Sequence, residues 1–88
     1  MIPVDVNATF NTIGEIKPVY IRLEDEAHQL HTYRIVEIEY AREDKRAGIL
    51  TVVYSCYIEE ENLRKPLKIA YHVSTHRWVL LSYGGSIL

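Results

Sequence analysis

Histidines, carboxylates and one cysteine are the side chains in this sequence that could support catalysis or bind a metal. His28 and His31 follow an Asp-Glu pair, and imidazole and carboxylate groups are ligands that zinc accepts. His72 and His76 form a second histidine pair. The first pair needs a helical turn to converge, and the second lies across a strand and its turn. A third and a fourth ligand would have to come from elsewhere in the fold, so we predict no metal site and no cofactor.

Nucleophilic catalysis requires a serine or cysteine within hydrogen-bond reach of a base. No serine of this chain lies in the Gly-x-Ser-x-Gly turn that presents the catalytic hydroxyl of many hydrolases. The strand pairing that collects the apolar side chains puts Cys56 and His72 on opposite faces of a sheet. Carboxylates cluster in the polar segments 24–26 and 59–61, where water keeps them ionised. We therefore predict that the protein is not an enzyme.

Cys56 is the one cysteine of the chain, so it cannot form an intramolecular disulfide. Its alternation with apolar neighbours predicts a buried, reduced and unreactive thiol. The first residues lack the charged and apolar regions of a signal peptide, and no apolar run reaches the roughly 18 to 20 residues of a membrane helix. These features predict a cytoplasmic protein.

Three apolar segments in the second half of the chain must position any site. Residues 49–58, 67–73 and 78–83 are rich in Val, Ile, Leu and Tyr, and polar or turn-forming residues separate them. This pattern is typical of a β-meander. In the middle segment Leu67, Ile69, Tyr71 and Val73 alternate with more polar residues, which predicts one core face and one wetter face.

The register of these strands follows from collecting their apolar side chains on one face, since a slip of one residue would exchange the faces. This choice joins residues 50, 52, 54, 56 and 58 to the core face and leaves residues 59–66 as a loop. It sets Val73 opposite Trp78 and Tyr71 opposite Leu80. The predicted centre of the core consists of Trp78, Tyr71, Tyr54, Ile69, Val52 and Leu80.

The first half of the chain predicts three more strands, over residues 4–10, 16–23 and 33–40. The inward residues of the third are Tyr33 and Ile35, and then Val36, Ile38 and Tyr40. Its inward phase therefore changes between Ile35 and Val36, which a β-bulge would absorb. Residues 42–48 form a charged turn. The alternative is a helix near residues 26–46, capped by Asp25, which would give an α+β fold. The β-branched and aromatic residues of this segment favour a strand.

We therefore predict an all-β protein: a single domain over residues 1–88, with five or six antiparallel strands in meander order curling into a partly open barrel. Residues 84–88, which begin with two glycines, are predicted to be a flexible tail. A chain of this length buries only about 60% of its unfolded surface, so association with another chain would add stability.

The outer face of the predicted meander is half apolar, unlike the polar face of a solvated antiparallel sheet. We predict that it is a contact surface for a protein partner or for self-association, giving a homodimer. The predicted binding residues are Val53, Tyr57, Lys68, His72, Val79, Leu81 and Tyr83. A basic rim is predicted at Arg64, Lys65 and Arg77.

The charge distribution leaves one alternative function open. The net charge of −2 is against a general nucleic-acid binder, but residues 63–88 contain four Lys and Arg residues and no acid. In this alternative the protein is a small barrel that binds nucleic acid, with Tyr57 and Tyr83 stacking on bases and the basic residues contacting phosphates.

Overall fold

The computed structural model describes residues 1–88, except for the side chains of Ser86 and Ile87. All regular structure in this part of the chain is β-strand. The strands are β1 (Ile2–Phe10), β2 (Ile16–Glu24), β3 (Leu30–Arg46), β4 (Ile49–Glu60), β5 (Leu63–His72), β6 (Arg77–Tyr83) and β7 (Ser86–Ile87).

Consecutive strands pair in antiparallel order, and β1 also pairs with β6. In that closing pair Ile2 lies opposite Leu80 and Val4 lies opposite Trp78. The first six strands therefore form a small closed barrel. This confirms the predicted all-β meander and excludes the alternative helix, because residues 30–46 are the 17-residue strand β3.

Strand β3 contains the predicted β-bulge and a second one. Its pairing with β4 shifts between Ile35 and Glu37, and the extra residue, Val36, is 43% exposed. The next shift lies between Ile38 and Tyr40. Because each bulge adds one residue to the strand, it reverses which residues face inward. The second bulge turns Tyr40 outward, although sequence alternation placed it with the inward set.

Two segments predicted as loops are instead strands joined by two-residue turns. Strands β4 and β5 connect through Glu61 and Asn62, whose φ angles are 52° and 63°. Strands β3 and β4 connect through Ala47 and Gly48, with φ angles of 50° and 79°. Two positive φ angles are the signature of the type I′ turn, whose twist matches that of the flanking strands. The loop predicted for residues 59–66 and the charged turn predicted for residues 42–48 were wrong in extent, because charged residues in both segments pair across strands.

The core lies inside the barrel around three aromatic rings. The ring of Trp78 is 4.9 Å from that of Tyr71 and 5.6 Å from that of Tyr54, measured between centroids. The Tyr54 hydroxyl donates a hydrogen bond to the carbonyl of Ile16, 2.6 Å away, and so links β4 to the start of β2. Ile69 is fully buried beside them. The predicted core centre is confirmed, with Val52 half-buried at its margin.

The pairing of β5 with β6 differs from the predicted register by two residues. Tyr71 lies opposite Trp78 and Ile69 lies opposite Leu80. A bulge follows, since the neighbouring pair joins Lys68 to Ser82. The extra residue is Leu81, and the resulting reversal turns Tyr83 toward the core.

Strand β7 occupies part of the segment predicted to be a flexible tail. Its backbone pairs with Ser82 and Tyr83 of β6, and the Leu88 N–H donates to the Leu81 carbonyl at 2.9 Å. Flexibility of residues 84–88 stays a prediction.

Candidate binding surface

The outer face is the side of β3 to β6 that points away from the core, and one row of paired residues crosses it. Val79 lies opposite Ala70, which lies opposite Val53, which lies opposite Arg42. Val53 and Ala70 are only 7% and 3% exposed, yet neither belongs to the cluster of core residues. Their burial therefore comes from neighbouring side chains on the outer face.

A shallow groove of about 440 Å³ lies over this row. Its apolar lining includes Ile49, Val53, Ala70 and Leu81, and its polar lining includes Arg42, Asp44, Arg46, Thr51, Lys68 and His72. A second depression of about 390 Å³ shares Lys68 and Leu81 with the first and extends past Ser55 to Pro66 and Gly85. We call the two together the outer groove.

The outer groove follows strand β4 from Ile49 to Ser55. A strand rises by about 3.3 Å per residue, so this stretch is about 20 Å long. Leu81 lines both depressions because the bulge in β6 places it there. A narrow groove of this length, with an apolar floor at Val53, Ala70 and Leu81, fits an extended segment of chain better than a compact small molecule.

The charges around the outer groove are mainly positive. Arg46 forms an ion pair with Asp44, at 3.3 Å between Nε and Oδ2. Arg42 and Lys68 in the groove, and Arg77 opposite His72, make no ion pair within the described part of the chain. The groove therefore combines an apolar floor with cations that have no carboxylate partner.

Tyr57 lies on the outer face beyond the groove, and its ring is covered. Its hydroxyl donates to Glu39 Oε2 at 2.8 Å, and this hydrogen bond raises the pKa of the tyrosine. The guanidinium of Arg64 lies 4.8 Å from the ring centroid and also pairs with Glu37. The predicted rim residue Arg64 therefore already contacts Tyr57 on β4 and Glu37 on β3.

Tyr83 packs against the core and does not lie on the outer face as predicted. The predicted rim residue Lys65 lies beside it, with Nζ 5.8 Å from the centroid of the Tyr83 ring. The Tyr83 hydroxyl donates to Glu60 Oε2 at 2.7 Å, and Lys65 Nζ donates to the same oxygen at 3.0 Å. These hydrogen bonds lower the pKa of Glu60, while burial and this carboxylate raise the pKa of Tyr83. The prediction failed for Tyr83 because the bulge at Leu81 reverses the alternation of β6.

The histidines of the first half form local pairs across the turn between β2 and β3. His28 Nδ1 is 2.6 Å from Glu24 Oε1, and His31 Nε2 is 2.7 Å from Asp25 Oδ2. The described residues contain no group of three or more His, Cys, Asp or Glu side chains arranged to hold a metal.

Cys56 is a core residue. It is fully buried, and burial raises the pKa of its thiol to about 12. His72 lies on the outer face, so the two cannot form a nucleophile and base pair.

The residues that sequence reasoning missed are those contributed by the end of β3 and the start of β4. The sequence pattern predicts a turn at Arg42 and Arg46 and does not place Ile49 on the outer face. A signal was present: Ala47-Gly48 is a two-residue turn sequence, and hairpin pairing outward from it places Arg42 beside Val53.

No family model, no curated protein and no solved structure matches this chain. The described residues contain no helix that is both long and apolar enough to span a membrane.

Proposed function

We propose that this protein is a non-enzymatic binding module that holds a segment of a protein partner in the outer groove. The observation that supports this most directly is an apolar floor, placed on the face opposite the core and flanked by cations without carboxylate partners. Interfaces between proteins combine an apolar centre with a polar rim in the same way.

Half-exposed side chains provide the apolar contact. Val79 and Leu81 are neither buried nor fully solvated, and Val53 and Ala70 complete a continuous apolar strip between them and β3. A partner side chain placed on this strip removes apolar surface from water, at roughly 25 cal/mol for each Å² covered. Val79 and Leu81 therefore act as the contact residues, with Val53 and Ala70 as the floor.

The charges favour a different protein, or a different face of a second copy, over a symmetric dimer. In a dimer with two-fold symmetry the same patch meets itself. Here that would bring Arg42 and Lys68 of one copy close to the same cations of the other, and like charges in an interface are unfavourable. The homodimer expected from the sequence is therefore not the arrangement that we propose.

Nucleic-acid binding has less support than protein binding. Of the two tyrosines expected to stack on bases, Tyr57 is covered by Arg64, and Tyr83 faces the core. The outer groove has no Phe, Tyr or Trp among its described lining residues.

A cytoplasmic setting is part of the proposal, supported by a buried thiol that has no disulfide partner.

The proposal can be tested by selecting binders from a random peptide library displayed on phage, with the wild-type protein as bait. The selected peptides are then measured against the variant Val79→Lys with Leu81→Lys. A matched control variant, Phe10→Lys with Ile13→Lys, changes apolar residues that are 65% and 78% exposed on the hairpin joining β1 and β2.

We expect the selected peptides to bind Val79→Lys with Leu81→Lys at least tenfold more weakly than wild-type protein. They should bind the control variant as tightly as they bind the wild type. Thermal unfolding and light scattering of all three proteins verify the fold and the oligomeric state. Equal affinity for both variants, or a library that yields no binder, would refute the proposal.

A further inference from the structure

From the charges and shape of the outer groove we infer the kind of segment that it binds: an extended peptide that carries both acidic and apolar residues. This inference rests on the proposed function and adds the chemistry of the partner to it. Two observations carry it: the cations of the groove that make no ion pair in the described chain, and the length of the groove on either side of its apolar floor.

The cations that make no ion pair in the described chain are spread along the groove. Arg42 belongs to β3, and Lys68 to β5, on either side of the floor residue Val53 in β4. Other basic residues, such as Arg22 and Lys65, already have a carboxylate partner within the fold. Carboxylates of a bound peptide would therefore find cations on both flanks of the strip without breaking an internal ion pair.

The length of the groove sets the length of the peptide, since a stretch of about 20 Å accommodates about six extended residues. Val53 and Ala70 face each other on neighbouring strands, and Leu81 of β6 lies beside them in the same groove. Apolar side chains in the middle of the peptide would contact this floor. Acidic side chains on either side of them would reach Arg42 and Lys68, which flank the groove.

The anion of the ligand is a carboxylate in a peptide and not a phosphate in a nucleic acid. Single-stranded nucleic acid is held by aromatic rings on which its bases stack. Among the described lining residues of the outer groove, His72 is the one with an aromatic ring, and the floor residues are aliphatic. Aliphatic floor residues match Leu, Ile or Val side chains of a peptide.

The test measures the fluorescence anisotropy of three labelled peptides of about eight residues, in which Leu alternates with Glu, with Gln or with Lys. A labelled oligothymidine of similar length is the fourth probe. Each is titrated with the wild-type protein, with Arg42→Glu plus Lys68→Glu, and with Val79→Lys plus Leu81→Lys. Lys17→Glu plus Arg34→Glu is the matched control for charge, since both residues are exposed and make no ion pair in the described chain.

We expect the Glu peptide to bind wild-type protein about tenfold more tightly than the Gln peptide, since a few exposed ion pairs together are worth about one power of ten. The variant Arg42→Glu plus Lys68→Glu should reverse the order, so that the Lys peptide binds best. The control variant should keep the wild-type order. Raising the salt from about 0.05 to 0.3 M should reduce the advantage of the Glu peptide, because salt screens exposed charges.

The two proposals fail in different ways. If all three peptides bind equally well and only Val79→Lys plus Leu81→Lys weakens them, the groove binds protein but has no preference for acid. If that variant weakens no peptide, the proposed function itself is wrong. If oligothymidine binds more tightly than the Glu peptide and loses affinity with Arg42→Glu plus Lys68→Glu, the partner is a nucleic acid and the inference is overturned.

Discussion

Strands β4, β5 and β6 present two faces of different character with residues taken alternately from the same segments. On the inner face Cys56, Ile58 and Ile69 are fully buried in an apolar cluster. On the outer face Val53 and Ala70 are almost as buried, but cations stand beside them. Burial alone therefore does not distinguish a core residue from the floor of a surface groove.

The difference has an energetic consequence. An inner residue is surrounded on all sides, so removing its atoms leaves a cavity that the barrel cannot fill. An outer residue lies at the surface beside exposed side chains such as those of Arg42 and Lys68, which can rearrange and admit water. Stability should depend on the inner face, and binding on the outer face.

The largest effect is expected for Ile69→Ala, which removes a fully buried side chain from the inner face. We expect the free energy of unfolding to fall by about 3 kcal/mol, from lost burial and from the cavity. Urea denaturation followed by tryptophan fluorescence measures it. Val53→Ala on the outer face is the comparison, with an expected loss of about 1 kcal/mol. Equal losses for the two would remove the distinction between the faces.

A smaller effect is expected for Tyr54→Phe, which removes the hydroxyl that donates to the Ile16 carbonyl. The loss should be about 1 kcal/mol, since the ring still packs against Trp78 and the net value of a hydrogen bond is of this size. Hydrogen exchange of amides at the start of β2 should accelerate as well. Unchanged stability would mean that this link between β4 and β2 contributes nothing.

Acid should destabilise the protein partly through Glu60, which lies at the end of the barrel interior. Its pKa in the folded state is held below the ordinary 4.5 by hydrogen bonds from Tyr83 and Lys65. A lowered pKa stabilises the fold above pH 4.5, and this contribution is lost as the pH falls through the folded-state value.

The variant Glu60→Gln should therefore lose less stability than wild-type protein between about pH 5 and pH 3, as measured by thermal unfolding across that range. Glu59→Gln is the control at the neighbouring exposed position. Parallel curves for wild type and Glu60→Gln would contradict the assignment.

The smallest effect is expected on the outer face itself. Lys68→Ala should change the free energy of unfolding by no more than about 0.5 kcal/mol, since the side chain is exposed and makes no ion pair in the described chain. Chemical denaturation measures this. A loss above about 1 kcal/mol would show that Lys68 supports the fold by covering Ala70 and Val53.

The sequence predicted the inner face more successfully than the outer one. Alternation in β5 and β4 identified Ile69, Tyr71, Tyr54 and Cys56 as inward, because apolar residues at every second position leave only one face for the core. The bulge at Val36 was also visible, since two apolar residues stand together there. These features are local, and a few neighbouring residues determine them.

The bulges at Glu39 and Leu81 could not be predicted in the same way. Each interrupts an alternation that looks regular in the sequence and appears only as a shift in the pairing with the neighbouring strand. The second decided that Tyr83 belongs to the core and that Leu81 lines the outer groove. The sequence also predicted a turn over residues 42–48 and a loop over residues 59–66, and both segments are largely strand. Their polar residues were misleading, because polar residues can occupy strands whose side chains face solvent.

The amino-acid sequence alone determined the all-β class, the order of the strands and the inward residues of β4 and β5, since strand propensity and two-residue periodicity are properties of short segments. The tertiary structure decided the closure of β1 on β6, the bulges that reassign Tyr40 and Tyr83, and the placement of Arg42 and Lys68 on the two sides of β4. These depend on register between strands distant in the chain, which is set by how the whole barrel closes around its core.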